Sequence, residues 1–344
     1  MTDTNAPKLI FRADGGAQIG LGHIMRCLAI ADMTGNLFSL SFAIQQPSDA
    51  VRDLLTQAAF GIISLPETTD YAVDAEHFSR HLTGDEFVLL DGYSFDAAYQ
   101  QFIKPHCRKL IVVDDLVAWH QYADVVINHG GTIQAAAYQA ENYTQFLTGT
   151  AYALLRKPFL EAGIHRPVST LTTFQPRRVL VNLGGADPDN ISHRVVESLL
   201  NEPLLEQIVV VLGAANPHGS SFASYTKERV QVRRHLSPEQ MIAVIQACDI
   251  AVVSCSTISY EVATVGIPFV GILTADNQAI LRTFYKDNHI ALAVLEKAFA
   301  GSELRAALSL SISAVNDSLS NQRQFFDGRS GERITAFFRT LLPA

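Results

Sequence analysis

The 344-residue sequence contains a single tryptophan and only four cysteines, Cys27, Cys107, Cys248 and Cys255, with no CxxC pair or metal-ligand spacing among them. That excludes a cysteine-based metal site or disulfide framework, and the apolar or helical surroundings of these thiols point to reduced cysteines and a cytoplasmic protein. Basic charge is also short. With 26 Lys and Arg against 34 Asp and Glu, the net charge is −8, and such a surface repels phosphate backbones, so no nucleic-acid partner is expected. Long apolar runs are missing as well: the stretch near 250 to 274 is broken by Glu261, Gly266 and Pro268, too often for a membrane span. The opening "MTDTNAPK" has no basic segment followed by an apolar core, so secretion is not expected either. What the sequence does have is apolar bulk, 48% of its residues, enough for a sizeable core. Its length exceeds what one core usually organises, and two domains are the natural expectation.

In the first half, β-like runs alternate with amphipathic ones: "LIFRAD" then 23 to 33, "FSLSFAI" then 49 to 59, "GIISL" then 71 to 82, "FVLLD" then 95 to 103, "KLIVVDD" and "ADVVINHG". Several runs are apolar throughout, as expected for parallel strands covered on both faces. "AGIHRPVSTLTTFQPR" has two prolines and no helical period, so 163–177 reads as a linker. A second set of strands follows: "RRVLVNLG", "QIVVVLG", "VQVRRHL", "DIAVVSC" and "PFVGILT". The expected division is a first doubly wound domain over 1–162, a second over 178–319, and a helical tail over 320–344 that packs back on the first. Two doubly wound α/β halves facing a central cleft place a ligand at the carboxyl ends of their strands.

The handover from the first strand to the first helix reads "IGLGHIMRC". A dinucleotide fingerprint needs a third glycine where Met25 stands, and an acidic residue where the second strand ends in Gln45 and Gln46. A P-loop needs a Lys-Ser or Lys-Thr that does not follow. Neither a nicotinamide nor any other cofactor is expected. Instead, Gly20 and Gly22 let the backbone approach a ligand, and His23 stands at the helix start. There the positive end of the helix dipole disfavours an imidazolium, which leaves a histidine able to take a proton from water. A capping or packing role for His23 stays open. Arg26, one turn on, serves a phosphate or a surface carboxylate.

"FRADGGAQIGLGHIMRCLAIA", followed by "YALLRKPF", "VNLGGADPDN" and "ADNQ", resembles the UDP-sugar hydrolases of pseudaminic acid biosynthesis, which remove UDP from UDP-2,4-diacetamido-2,4,6-trideoxy-β-L-altropyranose, and the related spore-coat polysaccharide proteins. The resemblance spans most of the chain. It implies a GT-B-like fold, a UDP-sugar substrate, and a nucleotide held mainly by the second domain without metal. In "SCSTISYE", Ser254, Ser256, Thr257 and Ser259 are placed to cap a helix and, with its amides, cradle a diphosphate. The resemblance gives Glu261 the ribose hydroxyls. Gly184 and Gly185 permit close approach to a ligand, and Asp187 before Pro188 reads as a helix cap with proline at the first helical position rather than as half of a metal-binding D-x-D. Tyr93 and Asn277, with Gln278 beside it, match polar groups near the sugar. Asp14, ending the first strand, orients His23 or the sugar. Two departures stand out: Gly92 where the family often has histidine, and a loop at 254 to 261 poorer in glycine.

A nucleoside diphosphate leaves without being protonated, so one base and a cluster of donors suffice where an ordinary glycosidase needs two carboxylates. The expected reaction is hydrolysis with inversion at the anomeric carbon, His23 being the base. The alternatives are a glycosyltransferase of the same fold with a soluble acceptor, and a non-catalytic UDP-sugar-binding protein. For the transferase with a lipid-linked acceptor, a basic and apolar patch is expected on the first domain, whereas the loop 66 to 86 is acidic. A monomer is the default for this architecture.

Overall fold

The computed structural model describes residues 6–15, 22–168, 170–213, 216–275 and 278–342. Gly20 and Asn277, both singled out above, lie outside the described residues. The chain divides into two compact units, Met1–Arg156 with Ser330–Ala344, and Lys157–Arg329.

Unit 1 carries the strands β1 (Lys8–Ala13), β2 (Ser39–Gln45), β3 (Gly61–Leu65), β4 (Phe87–Asp91), β5 (Lys109–Val113), β6 (Val125–Asn128) and β7 (Gln145–Thr148). They pair in parallel in the order β3-β2-β1-β4-β5-β6-β7. The helices between them are α1 (Gly22–Thr34), α2 (Asp49–Gln57), α3 (Tyr71–Ser79) and α4 (Ala97–Ile103). Ser48, Asp70 and Asp96 cap the last three through first-turn amides, which fixes where each helix begins. Both faces of β4 are buried, because helices cover the sheet on each side, and that is why "FVLLD" shows no alternation.

Unit 2 follows the same plan. α5 (Lys157–Ile164) leads to β8 (Arg178–Asn182), α6 (Ile191–Leu200), β9 (Gln207–Leu212), β10 (Val230–Arg234), α7 (Pro238–Gln246), β11 (Ile250–Ser254), α8 (Thr257–Val265), β12 (Phe269–Ile272), α9 (Ala279–Asp287), β13 (Ala293–Leu295), α10 (Gly301–Leu308) and α11 (Ile312–Phe325). Its six parallel strands run β10-β9-β8-β11-β12-β13. The last helix, α12 (Ser330–Leu341), belongs to unit 1.

Several boundaries differ from those expected. The division falls after Arg156 rather than at 162, since α5 packs within unit 2. The segment read as a linker is pinned there too: Arg166 donates to the carbonyls of Ala263 and Leu319, and the Leu171 amide donates to Asn316. Composition alone does not reveal such bonds. The expected tail is shared out, α11 to unit 2 and α12 to unit 1.

Candidate functional site

In unit 1 the strand order reverses between β1 and β4, which lie side by side with Ala13 opposite Asp91. Chain leaving neighbouring strands in opposite directions opens a crevice at their carboxyl ends. His23 and Arg26 enter it from the first turn of α1, whose Ile24, Cys27 and Leu28 are committed to the core. Asp91, the last residue of β4, is fully buried between them.

His23 Nδ1 lies 2.7 Å from Asp91 Oδ1. Arg26 donates to the same carboxylate twice, Nε to Oδ2 at 3.0 Å and Nη2 to Oδ1 at 2.5 Å, and its Nη1 donates to Asp115 just beyond β5. Arg26 Nη2 is also 2.8 Å from His23 Nδ1. Both nitrogens cannot share one proton as donor and acceptor while each serves Asp91. A carboxylate held by a guanidinium is ionised and only accepts, so Nδ1 carries its proton to Asp91 and the Nε2 lone pair is left open. Burial works against the charge on Arg26, but Asp115 and Asp91 outweigh it and hold the guanidinium well above its ordinary range. Against the same penalty, Arg26 holds Asp115 below the usual carboxylate range. Beyond β6, burial pushes the His129 imidazole down to about 4, with Asp115 opposing and Arg26 assisting. His129 is therefore neutral, and its Nδ1 accepts from the Leu154 amide at 3.2 Å.

A cavity of about 110 Å3 is lined by His23, Asp14, Tyr71, Gly92, Tyr93, Ser94 and Phe95. The Tyr93 ring meets the His23 ring edge to face, centroids 4.9 Å apart at 82°. Asp14 is placed otherwise than expected: it orients no imidazole. Its carboxylate accepts from Arg12 at 2.7 Å, from the Gln45 amide at 3.0 Å and from the Tyr71 hydroxyl at 3.1 Å. Arg12 is the reason. Fully buried in mid-strand, its charge needs counter-ions and takes both Asp14 and the buried Asp74, with Tyr99 completing Asp74. Asp91, the group that partners His23, and Asp115, which holds Arg26, were not singled out in the sequence. The available signal was position: Asp91 ends the strand that a doubly wound order puts beside β1.

Unit 2 has its own reversal, between β8 and β11. Gly184, with φ of 92°, and Gly185 turn the chain away from β8. A Cβ on Gly184 would stand 3.5 Å from the Ser254 hydroxyl, and one on Gly213 would come within 2.2 Å of the Gly185 carbonyl oxygen, so three glycines allow two turns to cross. Asp187 does cap α6, but from further upstream than expected. With φ of 43° its carboxylate accepts from the Ile191 and Ser192 amides, while Asn190 holds the cap position and Pro188 lies outside the helix. Asp189 pairs with Lys297. Among the described residues no group of three His, Cys, Asp or Glu is gathered to hold a metal.

The hydroxyls before α8 do not cap it. Ser256 has the cap position without a side-chain bond to the helix; it pairs with Ser254 at 2.8 Å, while Ser259 bonds the Ser256 carbonyl and the buried Tyr285, each at 2.5 Å. Among the described residues, the side chain at the N-cap of α8 satisfies none of the amides of the turn that begins at Thr257. Glu261 lies half-buried one turn further on. Gln278 folds back on its own loop, accepting from the Thr274 amide at 2.8 Å.

No family model matches the chain. Among curated proteins it is similar to an uncharacterised protein of Methanocaldococcus jannaschii, 23% identical over 76% of the chain and 55% of that protein's length. It is 25% identical to the spore coat polysaccharide biosynthesis protein SpsG of Bacillus subtilis, over 96% of the chain and 97% of SpsG. The UDP-2,4-diacetamido-2,4,6-trideoxy-β-L-altropyranose hydrolase of Campylobacter jejuni is 22% identical over 80% of the chain and 95% of its own. Among solved structures, MurG of Acinetobacter baumannii matches with a TM-score of 0.66 at 13% identity, over 97% of the chain and all of MurG. HepE of Anabaena, in complex with UDP and glucose, matches at 0.58 and 12% identity, over 98% of the chain and all of HepE. The two parallel-sheet units are thus those of the GT-B glycosyltransferase fold. No helix among the described residues is long and apolar enough to cross a membrane.

Proposed function

We propose that the protein hydrolyses a UDP-diacetamido-trideoxyhexose, with UDP-2,4-diacetamido-2,4,6-trideoxy-β-L-altropyranose as the substrate suggested by the Campylobacter relative, in pseudaminic acid or related nonulosonate biosynthesis. The observation that carries the reading is the buried Asp91–His23 pair, which engages Nδ1 and leaves Nε2 without a partner among the described residues, on a side chain that lines a small cavity. In this scheme water loses a proton to Nε2 as its oxygen bonds the anomeric carbon, the bond to the UDP oxygen breaks, and the configuration inverts. Asp91 keeps the ring in the tautomer that can receive the proton and stabilises the imidazolium that forms. UDP departs as an anion, so no second carboxylate has to act as acid. Tyr93 and Asp14 contact the sugar, Asn277 and Gln278 lie near it, and the turn at Gly184 and Gly185, the Ser254, Ser256 and Thr257 head of α8, and Glu261 hold UDP. Arg26 acts through Asp91 and not on the phosphates, because both its partners are carboxylates.

The test is incubation with a panel of UDP-acetamido sugars without acceptor, following UDP and free sugar by NMR. Acceptor-free release with inverted anomeric configuration is expected, and His23→Leu should lower turnover by roughly two to four orders of magnitude while UDP still binds. Turnover only when a sugar acceptor is added would make the protein a transferase. Near-normal turnover by His23→Leu would remove the assigned base.

A further inference from the structure

β10 is an edge strand of unit 2, and its "VQVRR" alternates where the inner strands do not. The register explains the pattern. Val230 stands beside Ile208 on the face that packs against α6, whereas Gln231 stands beside Val209, and Arg233 beside Val211, on the other face. On that second face α7 joins β10 to β11, which the strand order puts three places away. The helix therefore crosses inward and leaves the flank of β9 and β10 open. The result is a groove of about 260 Å3, lined by Val209 from the sheet and by Leu236, Ala243, Val244 and Ala247 from the α7 side.

Two arginines, Arg178 and Arg233, share the lining. Arg178 Nη2 donates to Gln207 Oε1 at 2.9 Å, and Arg233 Nη2 donates to Gln231 Oε1 at 3.3 Å. Because Gln231 stands opposite Val209, Gln207 and Gln231 are diagonal neighbours on adjacent strands, about 8 Å apart by strand spacing. The two guanidiniums, which start from strands with β9 between them, are thus drawn toward each other. Both partners are neutral amides, and among the described residues neither guanidinium pairs with a carboxylate. We propose that the groove binds a small amphipathic anion, its carboxylate or sulfonate head between Arg178 and Arg233 and its apolar body against Val209 and Val244. A guanidinium pair matches such a head, and the aliphatic lining matches the body. A neutral apolar molecule would cover the two charges without satisfying them, and a bare inorganic anion would leave the lining wet. Arg178 opens β8, whereas the Gly184 turn follows its end, so the groove is separate from the carboxyl-end crevice and independent of the nucleotide-sugar reading.

The probe is anilinonaphthalene sulfonate, whose fluorescence rises in apolar surroundings. Saturable binding is expected, reversed by octanoate but by neither octanol, which lacks the charge, nor inorganic phosphate, which lacks the body. Arg178→Gln and Arg233→Gln change exposed residues and should each raise the half-saturating concentration about tenfold, the loss of one charge-assisted hydrogen bond. Ala243→Glu, which puts a carboxylate into the groove from the exposed side of α7, should abolish binding. Circular dichroism checks that all three variants fold. Absence of saturable binding, equal binding by parent and variants, or displacement by UDP in place of octanoate overturns the site. A parent dimer in sedimentation velocity that Ala243→Glu dissociates also overturns it, because a second copy then covers the groove.

Discussion

Asp91 Oδ1 and His23 Nδ1 are 2.7 Å apart at the carboxyl end of the β1–β4 pair, in a setting from which water is excluded on the Asp91 side. Replacing the carboxylate by an amide keeps the shape and changes the tautomer, because an amide N–H facing Nδ1 drives the ring proton to Nε2. Asp91→Asn should therefore lower kcat by roughly two to four orders of magnitude with little change in KM, as measured by steady-state UDP release. Equal losses in UDP affinity and kcat would instead show that Asp91 serves only to hold the fold.

Arg26 joins Asp91 to Asp115, and its loss leaves the buried Asp91 and the partly exposed Asp115 without this counter-ion. Arg26→Leu should cost about 3–5 kcal/mol of stability in urea denaturation. Asp115→Asn, which leaves Arg26 charged and still forked onto Asp91, should cost only about 1–3 kcal/mol. Arg26→Lys keeps the charge without the fork and should fall between the two. Equal destabilisation by all three would mean that charge pairing is not what holds this corner together.

His129 gives unit 1 a pH dependence whose sign follows from its burial. Its imidazole titrates near 4 in the folded protein against 6.5 in the unfolded chain. Between those values the unfolded state binds more protons, so stability rises with pH. As pH falls from about 6.5 to about 4, His129 should remove about 3 kcal/mol. His129→Gln, compared with the parent over that range by denaturant titration, should show the shallower slope. Parallel curves would contradict this account.

Gly213 and Gly185 separate packing from ligand approach. Gly213→Ala thrusts a methyl to within 2.4 Å of the Gly185 Cα and should destabilise unit 2 by about 1–3 kcal/mol. A Cβ on Gly185 meets nothing within 4 Å, so Gly185→Ala should melt like the parent. If this turn lies against UDP, calorimetry will still find UDP bound more weakly by Gly185→Ala, and unchanged affinity would move the nucleotide elsewhere.

Buried parallel strands announce themselves by unbroken apolar runs, and "FVLLD" and "DIAVVSC" were legible for that reason. β7 and β13 were not. "QFLT" and "AVL" are short, half-buried edge strands, and nothing in so few residues distinguishes them from loop. The His23 turn stood out because glycines and a histidine at a strand-to-helix junction are locally unusual. Its partner did not, since the contact spans 68 residues and depends on which strands are neighbours. That Asp14 does not orient His23 follows from a fact invisible in one dimension: Arg12 is sealed inside the sheet and claims the nearest carboxylates. The hydroxyls at 254 to 259 were read by type, whereas the fold turns Ser259 inward to Tyr285.

α12 lies in the core of unit 1. Ile334 and Phe338 are fully buried there together with residues of α1, Thr335 donates to the Met33 carbonyl and Ser330 to that of Ala153. Unit 2 is one continuous stretch, while unit 1 is assembled from two. During synthesis the second unit therefore has all its residues before the first does. The helix that carries His23 receives its cover from α12 only after everything in between has been made.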